Sequence, residues 1–389
     1  MAASTAQVAP GQEAGRPQPQ TTVQNPGGPF IRHSQPGFRA QYVSTANAFG
    51  QLITQPLVAV PGYVRALRLR FAAGSGNSST VISASADAPY NIASLITLRD
   101  AFGTPLIVGD GYSVLKLIPL FGQQFGLHAL SDVANLPSFV GVTLTSGAGS
   151  GNFTFQSQLP LEFAKAYGVI SGANAALLPN LQVQLNASAT FYGTTSPTTL
   201  PTTELDVDTS FYWLPEGTQV EPPGLGSTCQ WVLQQANPTI GSASTTRVQI
   251  PRLGGYLTTI IMILRDSTGA RIDQFPTRLR IYVDGVPLID ERTDAFQDDM
   301  AIQFGGIGAI TGGWNRPTGV LAWTRKQSLT QETNGLLDTG ETWLSTNPGT
   351  LIEIEGAPWG TISNAPATLS ILCGQVVPTG ALIQGLPEV

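Results

Sequence analysis

Side chains able to do chemistry are sparse in this sequence. Its 389 residues contain two histidines, His33 and His128. A metal centre built on imidazoles needs several ligands converging on one ion, which this pair does not supply. A Ser-His-Asp triad would have to use His128, because His33 sits in a proline-rich arm, and no G-x-S-x-G elbow accompanies it. Carboxylates are better placed. Asp294 and Asp298 fall one helical turn apart, with Asp290, Glu291 and Asp299 beside them. Glycoside hydrolysis asks for two carboxylates roughly 5–9.5 Å apart. The competing reading is a solvated helix face with Arg292 as partner. Glu204, Asp206 and Asp208 alternate, so Asp206 and Asp208 share a strand face. A calcium ion wants about six or more oxygens, and a charged start to a strand fits these residues better.

Cys229 and Cys373 read as two buried small hydrophobes rather than a disulfide framework or zinc site. The run Gly147-Ala148-Gly149-Ser150-Gly151 opens no helix after a Rossmann strand, so it is not a phosphate cradle. GGIGAITGGWN at 305–315 reads as a surface loop. All six tryptophans (213, 231, 314, 323, 343 and 359) lie in the second half. Exposed, they could stack on sugars; buried, they fill a core or a subunit contact. No catalytic residue, cofactor or metal is expected.

The elements that must position these residues are strands. Charged residues make up 11% of the chain, against roughly 25% in ordinary soluble domains. Such a polar but uncharged coat suits a β-rich protein packed against neighbours. A net charge of −6 argues against coating nucleic acid. Residues 1–40 carry +2 through Arg16, Arg32 and Arg39 against Glu13, leaving −8 for the remainder. Prolines 10, 17, 19, 26, 29 and 36 predict an extended arm without helix or sheet ladder. No signal peptide is visible at the N-terminus, and no apolar run approaches the roughly 18 residues of a membrane span.

Beyond the arm the chain reads as strand almost throughout: 55–71 around a Pro-Gly break, 93–108 around a glycine turn, and the alternating stretches 153–163 and 181–193. Helix is expected in only two places, 168–179 and 288–304. TTSPTTLPTTELDVDTS, 194–210, has no apolar period and reads as a linker.

GTPLI (103–107) returns as GVPLI (285–289), which alone is within chance. It is one member of an ordered series. Gly62-Tyr63-Val64 aligns on Gly255-Tyr256-Leu257 at offset 193, and both strands reach a Ser/Thr-Gly turn, at 75–76 and 268–269, without a gap. LITLRDAFGTPLI (95–107) answers LRIYVDGVPLI (279–289), and NLQVQLNASATF (180–191) is matched with ATLSILCGQVV (367–377) as the closing strand. The series predicts an internal duplication. Each half has room for eight strands in two stacked sheets, the jelly roll. The expected fold is all-β: two tandem eight-stranded jelly rolls with short bracing helices and an extended N-terminal arm. The expected divisions are arm 1–45, first roll 46–195, linker 196–210, second roll 211–380 and tail 381–389.

This layout resembles the double jelly-roll major capsid proteins of tailless icosahedral viruses with an inner membrane, the tectivirus and adenovirus-hexon lineage. FTFQSQLPLEFAKAYGVISGANAALLPNLQVQL (153–185) looks like the family's strand–helix–strand brace, and FYWLPEG (211–217) like the opening of its second half. The resemblance implies a structural subunit with no catalysis. It implies a homotrimer that forms a pseudo-hexagonal capsomer and tiles a shell over an internal membrane. Its partners would be itself, neighbouring capsomers, penton and minor capsid proteins, and the membrane through Arg16, Arg32 and Arg39 of the arm. Sequence-specific nucleic-acid binding is not expected. The protein would be made in the host cytoplasm and reside in the virion. The Ala/Gly/Pro bias and 16 Arg against 3 Lys suggest a GC-rich genome, and the host a bacterium. The alternative is a carbohydrate-binding β-sandwich, either a receptor-binding spike or a secreted glycosidase.

Overall fold

Alternation decides which way each strand faces. In Tyr63–Gly74, Leu67, Leu69 and Phe71 are buried on one side, while Arg68 and Arg70 lie half-buried on the other. The computed structural model describes residues 28–122, 139–164, 166–214, 220–223, 225–236, 246–250, 254–304, 316–325, 343–347, 349–356, 364 and 366–378. Within them the first set of strands is β1 Gln35–Asn47, β2 Leu52–Pro56, β3 Tyr63–Gly74, β4 Ala93–Arg99, β5 Pro105–Gly109, β6 Phe153–Pro160, β7 Asn180–Leu185 and β8 Thr202–Trp213. The second set is β9 Ser227–Ala236, β10 Thr246–Ile250, β11 Tyr256–Arg265, β12 Arg278–Val283, β13 Val286–Arg292, β14 Val320–Thr324, β15 Ile352–Gly356 and β16 Thr368–Pro378.

The first set forms sheets ordered β1-β8-β3-β6 and β2-β7-β4-β5, and the second forms β9-β16-β11-β14 and β10-β15-β12-β13. Adding eight to every strand number of one half reproduces the other. Each half is a two-sheet jelly roll, so the chain is a double jelly roll. The rolls join edge to edge, because β5 pairs in parallel with β9 and fuses one sheet of each into a single larger sheet.

The repeated Gly-Tyr has the same work in both halves. Gly62 (φ +137°) and Gly255 open β3 and β11, where the following tyrosines pair with Tyr212 of β8 and Val376 of β16. A Cβ at either glycine would land on the carbonyl oxygen of that partner. Both strands then carry a bulge at the same step, Val64 to Ala66 and Leu257 to Thr259. The offset of 193 is therefore a structural register.

Several expectations are corrected. Residues 202–210, read as linker, belong to β8, which is hydrogen-bonded on both sides by β1 and β3. Glu204, Asp206 and Asp208 put polarity on its outer face and hid the inward Leu205 and Val207. β8, and not β7, is the counterpart of β16, so the matching of 180–191 with 367–377 fails. FYW at 211–213 closes the first roll, while 215–217 lie outside the described residues.

The arm is not extended throughout. Helix α1 (Gly28–His33) has Pro29 in its first turn, where proline is tolerated. Pro36 lies in β1, an edge strand, the one place a sheet accepts it. Of 168–179 only a 3-10 turn at Ala175–Leu177 is helical, and 188–192 is a short helix, not strand. The bracing helices occupy a different connection. Ser113–Phe121 follows β5, ending in helix α2 (Ile118–Phe121), and α4 (Thr293–Phe304) follows β13, with α3 (Ser188–Tyr192) between them in the chain. Residues 288–292, expected as helix, are the end of β13.

Candidate assembly interface

The contact between the two rolls is built around Trp231. It sits on β9 opposite Ile107 of β5, and is 1% exposed. Its cross-strand partner on β16 is Gly374, where a Cβ would lie 2.6 Å from the indole ring. The other wall is the end of α2, since a Cβ on Gly122 would lie 3.5 Å from the ring. On the same face of the second roll Ile261, Ile263 and Leu372 are fully buried. One contiguous apolar core runs through both rolls.

A charged clamp reinforces the join at the loop end. Asp87 of the first roll accepts hydrogen bonds from Arg265 and Arg271 of the second, each at 2.6 Å. Arg271 is only 5% exposed; its guanidinium lies 4.4 Å from the Tyr112 ring centroid and donates to the Thr318 carbonyl. Burial raises the Asp110 carboxyl above its ordinary value, with Asp87 adding to the rise and Arg265 opposing it.

At the opposite end, α1 plugs the base of the first roll. Phe30 is 1% exposed and meets Tyr63 and Tyr212 edge-on, at 5.7 and 5.6 Å. Beneath it the buried Glu162 accepts from the Arg65 guanidinium, the Ala166 N–H and the Tyr212 hydroxyl. Burial pushes the Glu162 carboxyl up against the opposing pull of Arg65. Burial likewise raises Tyr212, with Glu162 adding to it.

Arg32 is exposed on α1, and Arg16 lies outside the described residues. Arg39 is on β1 and donates to the Ala59 carbonyl, so it belongs to a sheet edge and not to an arm. His33 ends α1; His128 lies outside the described residues.

Glu204, Asp206, Asp290 and Asp294 are matched by arginines, while Asp298 and Asp299 stand exposed on α4. Asp294 is exposed and bridged to Arg292, which holds it below its usual range. Asp290 lies between Arg278 and Arg280, which depress its carboxyl to about 2. Arg70 joins Glu204 and Asp206, and Arg68 pairs in register with Asp208, so these acids form a cross-strand charge ladder in place of a calcium site. Glu291 is raised by burial and by Asp299. Among the described residues no three or more His, Cys, Asp or Glu converge as metal ligands.

Both cysteines are buried, the Cys229 thiol donating to the Pro160 carbonyl, and burial raises Cys373 to about 12. Trp231 is core, Trp323 and Trp343 are half-buried, and Trp213 is 40% exposed. Trp314, Trp359 and 305–315 lie outside the described residues.

Sequence reading missed Asp87 and Phe30 as contact residues, and it named Trp231 only as one of six tryptophans that could fill a core or a subunit contact. The available signal for Glu162 was a lone carboxylate in LPLEF.

No protein-family model matches the chain, and no curated protein matches it by sequence. Solved structures do match it. The STIV MCP aligns at TM-score 0.59 and 14% identity over 91% of this chain and 100% of that one. A chain in the atomic structure of Sulfolobus Turreted Icosahedral Virus aligns at 0.58 and 14%, covering 91% and 94%. PBCV-1 VP54, fitted into a reconstruction of the virophage Sputnik, aligns at 0.55 and 10%, covering 88% and 93%. These neighbours are double jelly-roll major capsid proteins, and this chain has their fold.

Proposed function

We propose that the chain is the major capsid protein of an icosahedral virus, a structural subunit without catalysis. Three copies close into a pseudo-hexagonal capsomer, and capsomers tile a shell over an internal membrane. The observation that carries this is the join between the rolls. Two sandwiches with one strand order meet edge to edge, and among the described residues the complementary pair of edges stays free: β1, the counterpart of β9, at one side of the chain and β13, the counterpart of β5, at the other. A surface complementary to another part of the same molecule makes head-to-tail rings when the rotation closes.

The capsid neighbours support the role by their shared fold. Further partners in this reading are penton and minor proteins at the vertices. Exposed Arg32 on α1 fits a base turned to anionic lipid, an attraction of about 1 kcal/mol per arginine near the surface. The preference for Arg over Lys fits a phage with a GC-rich genome. Sedimentation of the purified protein should give three chain masses, and negative-stain images should show six-sided blocks. A protein monomeric at every concentration, absent from particles, would refute the proposal.

A further inference from the structure

The internal join identifies, position by position, what should meet at the free edges. Pairing sets the correspondence. Phe38 of β1 faces Ser210, and Ser210 faces Ala66; Trp231 of β9 faces Gly374, and Gly374 faces Thr259. Ala66 and Thr259 are related by the offset of 193, so Phe38 stands where Trp231 stands. Trp231 is 1% exposed, whereas Phe38 is 56% exposed in the single chain.

The neighbouring positions follow the same logic. Ile261 and Ile263, buried in the second roll, correspond to Arg68 and Arg70 of the first. Arg68 lies 4.2 Å from the Phe38 ring centroid, and its Nε is buried with no hydrogen-bond partner among the described residues.

On the receiving side, β13 corresponds to β5 and α4 to the helical connection ending in α2. Where Trp231 fills the space beside β5 and α2, a cavity of about 350 Å³ stands open beside β13 and α4. Ile289, Phe296, Met300 and Trp323 give it an apolar lining, with Glu291 and Asp299 in its wall. Helix α4 also exposes Asp294 and Asp298. The face carrying Arg68 and Arg70 thus has an acidic counterpart at the matching place.

We propose that a second copy of this chain docks its β13 edge and α4 against β1 and the outer face of β3, seating Phe38 in this cavity and setting Arg68 among the α4 carboxylates. The register of β5 on β9, transferred, puts Phe38 beside Ile289 and Arg39 beside Asp290. The proposal rests on the shell-subunit reading and names the residues of its ring contact. Each chain offers one donor edge and one acceptor edge, so the contact is heterologous.

The test uses the full chain in sedimentation velocity. Phe38→Ala removes the anchor, and Asp298→Lys with Asp299→Lys reverses the receiving helix. Each should weaken association about 30-fold or more, leaving monomers whose circular-dichroism spectrum matches that of the wild-type chain. Mixed one to one, the two variants retain a single intact junction and should form dimers that neither forms alone. Val81→Ala, 68% exposed away from this contact, should still give trimers. Variants that assemble like wild type, a mixture that stays monomeric, or a Val81→Ala protein that also dissociates would overturn the contact while leaving a wild-type trimer standing. A wild-type monomer would instead bring down the shell reading itself.

Discussion

Replacing Asp87 by Asn should separate the two rolls energetically. The carboxylate is 10% exposed and serves two guanidinium groups, Arg271 at 5% exposure and Arg265 at 18%. Removing one member of a buried, hydrogen-bonded ion set typically costs about 3–5 kcal/mol, because the remaining charge stays desolvated and unmatched. Two features pull the value toward the lower end. Arg271 keeps the Tyr112 face and the Thr318 carbonyl. Asp110, whose carboxyl is raised partly by Asp87, becomes easier to ionise and offers Arg265 a partial substitute. The expected loss is therefore about 3 kcal/mol. At roughly 2–4 °C per kcal/mol for a domain of 150–250 residues, the unfolding midpoint should fall by about 6–12 °C. Urea and thermal unfolding followed by tryptophan fluorescence would measure it, within a double-mutant cycle using Arg271→Met. A loss below about 0.5 kcal/mol, or two single losses that simply add, would refute the clamp.

Three further outcomes are expected. Gly62→Ala and Gly255→Ala should each destabilise by more than about 1 kcal/mol, since both strands must spread from β8 or β16 to admit a methyl group; equal unfolding midpoints for wild type and variants would contradict this. Phe30→Ala should cost about 3–5 kcal/mol of α1 docking and speed tryptic cleavage after Arg32 without lowering the main unfolding transition; unchanged cleavage would exclude the plug. The Asp290 carboxyl, depressed by Arg278 and Arg280, should titrate near pH 2 in a carbon-13 NMR titration. A folded value below the unfolded one means its contribution is present above about pH 4 and is lost as pH falls through about 2; a midpoint near 4 would remove the contact.

Much of the fold was legible because its signals are local. The alternation of Val64, Leu67, Leu69 and Phe71 with arginines marks β3 as a strand with one wet face. Asp100 and Asp284 mark the turns of the two hairpins that the repeated PLI follows. Other features were misread for equally physical reasons. Pro29 and Pro36 suggested a structureless arm, yet a helix's first turn and an edge strand are the two settings that spare proline its missing N–H. Thr202–Ser210 resembled a linker because its outward acids balance arginines on β3, more than 130 residues earlier in the chain.

By itself, then, the sequence determined the period of the strands, the punctuation of the turns and the duplication, all properties of neighbouring residues. Tertiary structure alone decided which strands share an edge, why Trp231 is buried while Phe38 stands open, and how Asp87 finds Arg265 and Arg271, the latter 184 positions away. A strand's hydrogen bonds and outer face are completed by whatever chain lies beside it, and that neighbour is chosen by the packing of the whole molecule.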